Sequence, residues 1–553
     1  MKTNRLLRIL WPCLSLTLAP LAMIPAAGCG SDEEMQPQMP LDLDALKAGL
    51  TGANRQDYKG DGDGGLAHIS YWTIKAMTPE YAALPAAEQA KLAKIQGSVL
   101  HSTKLPPKAL IAGTEITGTL TTHDDQGHRE QEVVLKFPQS WNGSLVVAGT
   151  PGTRTEFSNE AILVPWLLQR GYAYVAGNKG MTNGGADGNA TLLGKAHITQ
   201  HWGVMMLDLA AWASQRLKAA SGKAPLHTYA VGLSNGGYQV RRALEIDHER
   251  VAKGQPRLFS GGLDWAGVYW PDRRVLDQDH DGKVSPAEYA GATQLVSSNE
   301  RAAAAMGYLY DAGTLSNPTS FGDSPPFSAA QAKMQAAGFT VESSILWGAY
   351  NQLFDALKAA APIWKGVGYY NLTAYFYRAD LLGDDAASSA AYQMWGSSGA
   401  GHPAFYDYVA SAANSGWTAD SVGWALRNAT SGAFSVPMIS LHGDRDALIG
   451  LTANGVAYDN AVKAAGTAAL HRLYVIQNGN HIDAHADGTL DYNCNGTPAD
   501  EGAADLMTPM QPYVERAFDY LVDWVDHNRE PAASKTIATN AKQDVLDASQ
   551  ISF

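Results

Sequence analysis

Val231-Gly232-Leu233-Ser234-Asn235-Gly236-Gly237 lies between an apolar run, Leu226 to Val231, and a helix-like run, Tyr238 to Glu245. Strand, Gly-x-Ser-x-Gly turn and helix, in that order, form the context in which this motif makes a nucleophile elbow. A strained serine backbone crowds the positions two before and two after it, so both must lack a Cβ atom. Ser234 then stands at the head of a helix, where amide groups favour developing negative charge. So short a motif also fits a plain strand-to-helix turn that favours small residues. Acyl-transfer chemistry requires an acid, a histidine and a second amide donor from elsewhere in the chain.

Working outward, period-two or short apolar runs predict strands at 130–137, 144–148, 172–176, 226–231, 258–265, 436–441 and 472–476. Between them, helical patterns cover 159–170, 202–220, 454–465 and 510–526. Such alternation predicts an α/β fold, a mostly parallel sheet with helices on both faces. The rhythm breaks over 271–435, which is rich in alanine and aromatics, reads as mainly helical and sits between two sheet strands. A large cap insertion over the edge of the sheet accounts for it. Its aromatics, among them Trp347, Trp364, Trp395 and Trp424, suit either the cap's own core or an acyl pocket.

The loops that end the strands carry the remaining chemistry. Gly149-Thr150-Pro151-Gly152-Thr153 follows the strand at 144–148, and the amide of Gly152 or Thr153 can face the nucleophile from there. Asn235, the residue after the serine, supplies the other oxyanion donor. His442-Gly443-Asp444-Arg445-Asp446 follows the strand at 436–441, and Asn478-Gly479-Asn480-His481 follows the strand at 472–476. The chain order Ser, Asp, His, each on a loop after a strand, resembles the α/β-hydrolase triad over roughly residues 130–270 and 435–527. That resemblance implies Ser234 as nucleophile, His481 as general base and Asp446, four residues past His442, as the orienting acid. Asp444, Asp264 after an earlier strand, and His485 remain alternatives.

The chain has 553 residues, too many for one ordinary core. Its formal charge of -13 and pI near 5.6, with no Lys/Arg stripe, argue against a nucleic-acid partner. Residues 1–28 combine a basic start, an apolar stretch and small residues before Cys29, which resembles a bacterial lipoprotein signal. The resemblance implies export, lipidation at Cys29 and attachment to the cell envelope; secretion into the periplasm or medium is the alternative. The rest divides into a tether and irregular segment at 29–108, hydrolase core at 109–270, cap at 271–435, core again at 436–529 and a polar tail at 530–553. Of the three cysteines, only Cys494 would remain free for pairing, so no internal disulfide is expected.

Within the cap, Asp277-Gln278-Asp279-His280-Asp281-Gly282-Lys283-Val284-Ser285-Pro286-Ala287-Glu288 fits the EF-hand loop at its diagnostic places. Asp277, Asp279, Asp281 and Ser285 offer side-chain oxygens, Lys283 its carbonyl and Glu288 a bidentate carboxylate. Structural Ca²⁺ is therefore expected, with no organic cofactor. Asp491, Asn493 and Asn495 repeat part of that spacing and suit either a second Ca²⁺ or an Asx-turn.

Pro138-Gln139-Ser140-Trp141-Asn142-Gly143 and Leu521-Val522-Asp523-Trp524-Val525 resemble the tannase and feruloyl-esterase family, and the Ser-Asn-Gly-Gly elbow is similar to exported hydroxybutyrate-oligomer hydrolases. Both imply hydrolysis of small or oligomeric carboxylic esters outside the cytoplasm. The alternatives are a peptidase of the prolyl-oligopeptidase type and a non-catalytic, calcium-dependent surface binding protein.

Overall fold

The computed structural model describes residues 41–61, 65–68, 83–86, 89, 110–124, 127–152, 154–181, 198–269, 429–444, 446, 449, 451–483, 508–539 and 547–553. Among them, ten strands form one sheet in the order β1-β2-β3-β5-β4-β6-β7-β8-β9-β10. These are β1 (Leu50–Tyr58), β2 (Gly113–Asp124), β3 (Gly127–Pro138), β4 (Leu145–Gly149), β5 (Ala173–Gly177), β6 (Thr228–Leu233), β7 (Gly261–Trp265), β8 (Met438–Gly443), β9 (His471–Ile476) and β10 (Lys535–Ile537). From β5 through β10 every neighbouring pair is parallel, whereas β1, β2, β3 and β5 pair antiparallel. Apart from the added edges β1 and β10, the strands cross over once, β4 and β5 exchanging places, as in the α/β-hydrolase fold. The strand order therefore reverses at β4, and the crevice beyond the carboxyl ends of β4 and β6 is where an open sheet binds ligands.

The central strands carry apolar residues on both faces because both faces are covered. Val146 and Ala148 of β4 point into one core with Tyr174, Val231, Leu263 and Ile439. Leu145 and Val147 point into the other with Val175, Ala230 and Met438. Helices α1 (Val164–Gln169) and α5 (Gln511–His527) cover the first face, and α2 (Trp202–Ser221), α3 (Asn235–Ala252) and α4 (Ala457–Ala464) the second. In α5 the spacing of Val514, Ala517, Phe518, Leu521 and Trp524 puts one apolar stripe on the sheet. Pro512 fits its first turn, and Asn528 ends it in the left-handed region at φ 53°.

Three departures from the sequence reading concern strand edges and one helix. The segment 29–108, expected to be irregular with short helices, contains β1, and β2 also went unpredicted. Only Tyr58 of β1 is buried, and β2 buries Thr114 and Glu115 beside Ile116 and exposes Thr121, His123 and Asp124, so neither shows a strong apolar alternation. The polar tail at 530–553 supplies β10, with Ile537 buried, and Phe553 packs against Tyr474 with ring centroids 4.5 Å apart. The helix expected from 159 begins only at Val164, because the Asn159 carbonyl gathers the amides of Ile162, Leu163 and Val164 into turns. Residues 1–28, Cys29, and all of the expected cap except 429–435 lie outside the described residues.

One buried carboxylate anchors residues 431 and 432, ahead of β8. Glu245 of α3 accepts hydrogen bonds from Gly432 N at 2.8 Å, Ser431 N at 2.9 Å and the Tyr458 hydroxyl at 3.2 Å. Burial pushes its pKa up to about 7, against the opposing pull of Arg242, the two amides and Tyr458. A carboxyl that holds its proton more tightly folded than unfolded adds stability in full below its ordinary value of 4.5, and that contribution is lost as pH rises through about 7. Thermal melts from about pH 5 to about pH 8 are therefore expected to fall more steeply for the wild type than for Glu245→Gln. Parallel pH profiles for the two proteins would remove Glu245 as the titrating group.

Candidate active site

Ser234 sits between β6 and α3 with φ 61° and ψ -120°, a conformation unfavourable for any side-chain-bearing residue. Its amide is held by Trp265 O on β7 at 2.8 Å, and its carbonyl accepts Tyr238 N at 2.9 Å. The flanking glycines are required by contact. A Cβ at Gly232 would lie 2.3 Å from Gly236 O, and one at Gly236 would lie 2.3 Å from Gly149 O. Gly149 ends β4, so the elbow and the loop expected to supply the second amide touch backbone to backbone. Ser234 makes no side-chain cap hydrogen bond to α3, at whose head it stands 6% exposed.

The structure brings Asp446 and His481 together. His481 Nδ1 donates to Asp446 Oδ2 at 2.8 Å, and Asp446 Oδ1 accepts Ile449 N at 2.7 Å. Both residues are buried. Burial alone would raise the Asp446 pKa; the charge and hydrogen bond of His481, the nearby His442 and the Ile449 amide outweigh it and hold the group below the ordinary carboxylate range. Burial also lowers the pKa of His442, which donates from Nε2 to Ile449 O at 2.5 Å and so braces the turn carrying Asp446. With Nδ1–H committed to the carboxylate, Nε2 of His481 is the nitrogen left for proton transfer. Ser234, Asp446 and His481 follow the carboxyl ends of β6, β8 and β9, on one edge of the sheet. Among the described residues, Ser234 Oγ makes no hydrogen bond to His481; such contacts tighten when substrate binds.

The alternatives are accounted for by their partners. Asp264 forms a bidentate pair with Arg241, at 3.0 Å on both oxygens, and is occupied further by Ser440 and Gly267 N. Asp444 accepts Asn478 N at 2.7 Å, tying the β8 and β9 loops together. His485 lies outside the described residues. A second Ser-His-Asp chain exists: Ser440 Oγ is 2.9 Å from His471 Nε2, and His471 Nδ1 is 3.0 Å from Asp459 Oδ1. Ser440 lies within β8, 1% exposed, with its hydroxyl against the Asp264 carboxylate, so no carbonyl can reach it.

The loop that carries His481 is tied to the start of α5. Asp483, two residues on, accepts Met510 N at 2.5 Å and Gln511 N at 2.8 Å, capping α5. Gly479 also bridges Thr508 in parallel, just ahead of α5.

The Gly149–Gly152 stretch is held from several sides. Asn159 Nδ2 donates to Gly149 O at 3.2 Å, Gln239 Oε1 accepts Thr150 N at 3.0 Å, and Asn235 Nδ2 donates to Gly152 O at 3.2 Å. Gly152 has φ 51°, the left-handed turn expected of a glycine there. Lys179 reaches the carbonyls of Thr150 and Gly152. Sequence reading missed Gln239 and Lys179; a lysine directly after a strand in Asn178-Lys179-Gly180 carries no motif. Thr153, the Ca²⁺ ligands Asp277, Asp279, Asp281, Lys283, Ser285 and Glu288, and Asp491, Asn493 and Asn495 lie outside the described residues. Among the described residues no cluster of three or more His, Cys, Asp or Glu could hold a metal ion, and no helix is long and apolar enough to cross a membrane.

No family model and no curated protein matches the sequence. Solved structures are similar over most of their length. Feruloyl esterase B from Aspergillus oryzae shares 13% identity over 78% of this chain and 85% of its own, with a TM-score of 0.42. The rice cell wall degrading esterase LipA from Xanthomonas oryzae shares 15% identity over 81% of this chain and 96% of its own, with a TM-score of 0.40. Tannin acyl hydrolase from Aspergillus niger shares 11% identity over 88% of this chain and 87% of its own, with a TM-score of 0.43.

Proposed function

We propose that the chain is an exported serine esterase that hydrolyses carboxylic esters through an acyl-enzyme. The observation that carries this reading is the buried Asp446–His481 pair, with its carboxylate held ionised, on the same sheet edge as a strained serine at a helix head. Ser234 Oγ attacks the ester carbonyl while His481 Nε2 takes its proton. Asp446 supports the imidazolium through Nδ1–H. The carbonyl oxygen becomes an oxyanion, met by the Asn235 amide and by that of Gly152 or Thr153. Each such donor lowers the barrier by about 3 kcal/mol. When the tetrahedral adduct collapses, His481 returns the proton to the leaving alcohol, and water then releases the acid by the same steps in reverse.

The acyl group belongs to an aliphatic hydroxyacid oligomer or an aromatic ester, with the cap setting the choice. Ca²⁺ enters as a structural ion: the loop from Asp277 to Glu288 offers an all-oxygen ligand set suited to a hard cation and unsuited to catalytic zinc. Cys29 attaches the mature chain to the cell envelope by lipid.

Ser234→Ala is expected to abolish turnover of short p-nitrophenyl esters with an unchanged melting temperature; retained turnover would sink the assignment. Asp446→Asn is expected to lower kcat by roughly 10⁴-fold, because the amide no longer holds the imidazole in the working tautomer. A loss smaller than about tenfold would point to another acid. EDTA should lower the melting temperature and added Ca²⁺ restore it; a transition indifferent to both removes the structural ion. Hydroxybutyrate oligomers, feruloyl and galloyl esters, and peptides, assayed side by side, separate the substrate classes.

A further inference from the structure

Lys179 lies just after β5 with φ 61°, a left-handed residue that bears a side chain and has no glycine's excuse for it. Asn178 fixes that turn: its Oδ1 accepts Glu132 N at 3.0 Å and Gly180 N at 3.1 Å. The strained turn sends the Lys179 side chain inward, where it is fully buried. Its ammonium donates to Thr150 O at 2.6 Å and to Gly152 O, and lies 4.3 Å from the centroid of the Trp202 ring. Among the described residues it has no carboxylate partner. The contrast with Lys136 is informative, since that equally buried lysine sits between Glu115 and Glu160 at 2.8 and 3.0 Å.

Burying a cation without a counter-charge is costly, and desolvation together with the charge of Arg154 holds the Lys179 pKa well below its ordinary value. A group serving stability alone is better replaced by an apolar side chain. What Lys179 contributes instead is direction. It gathers two carbonyls from one short loop, and Asn235, beside the nucleophile, adds its own hydrogen bond to the second of them. The two held carbonyls flank the Pro151–Gly152 peptide, so the Gly152 amide between them is held with them.

We propose that Lys179 is a positioning residue, clamping the Thr150–Gly152 loop so that the Gly152 amide faces the oxyanion formed at Ser234. The inference rests on the esterase reading and explains how that site is held.

The test compares wild type, Ser234→Ala and Lys179→Met, which keeps the apolar stem and removes the donors. On p-nitrophenyl butyrate, Lys179→Met is expected to lose about 100-fold in kcat with KM within about threefold. Inhibition by benzeneboronic acid, which forms a tetrahedral adduct on the serine, should weaken by about the same factor as kcat. A purely structural lysine would instead lower the melting temperature and leave kcat and boronate affinity of the folded enzyme intact. Should Lys179→Met fail to melt cooperatively, Lys179→Gln, which retains an NH₂ donor, serves in the same comparison with a smaller loss of kcat. A kcat within about twofold of wild type in the folded variant, beside an inert Ser234→Ala, overturns the role of Lys179 alone. An active Ser234→Ala overturns the esterase reading and this inference with it.

Discussion

The site depends on a contact between bare backbones. Gly149 at the end of β4, and Gly232 and Gly236 on either side of Ser234, approach so closely that a methyl on any of them would fall 2.2 to 2.3 Å from a carbonyl oxygen. That contact brings the loop after β4 against the elbow after β6 at the point where the strand order reverses. It also explains why Ser234 can persist in a conformation that costs about 1–3 kcal/mol. The ladder on both sides of β6, the Trp265 carbonyl on the Ser234 amide, and the buried strand residues leave the turn no lower-energy path.

The same device recurs two strands away. A Cβ at Gly443, ending β8, would lie 2.2 Å from Gly479 O, after β9. The Asp446 and His481 loops thus leave the sheet from one point of contact, and Asp444 reinforces it through Asn478 N. Two glycine contacts therefore set the two halves of the candidate site: one joins the Ser234 elbow to the loop after β4, the other joins the Asp446 loop to the His481 loop. The intervening strand β7 spans the gap, and its Asp264 is held by Arg241 rather than by an imidazole, which keeps that stretch of sheet rigid and chemically silent.

What the sequence disclosed follows from this division. Ser234, Asp446 and His481 were legible because each ends an apolar strand in a glycine-marked turn, and the parallel core was legible because strands buried on both faces read as unbroken apolar runs. The outer strands β1, β2 and β10 were not. Glu115 and Lys136 sit on β2 and β3 with both side chains buried, paired to each other and joined by His68 and Glu160, so charged letters occupy core places. Polarity at such positions misleads any pattern-based reading, since it is satisfied by partners up to 70 residues away, as in the bond from Lys136 to Leu66 O. Lys179 and Gln239 were invisible for the same reason. Their work is done on backbone atoms, and backbone atoms leave no letter in the sequence.

The second Ser-His-Asp chain makes the converse point. Ser440, His471 and Asp459 meet every distance that a catalytic relay needs, at 2.9 and 3.0 Å, yet lie where two apolar layers close over β8. Hydrogen-bond geometry by itself therefore does not identify a nucleophile. What separates Ser234 from Ser440 is backbone position. Ser234 stands past the end of its strand, in a turn that lifts its hydroxyl to the crevice and puts a helix head beneath it, whereas Ser440 spends its hydroxyl on Asp264 inside the sheet. Ser440 instead ties β7, β8 and β9 together through Asp264 and His471.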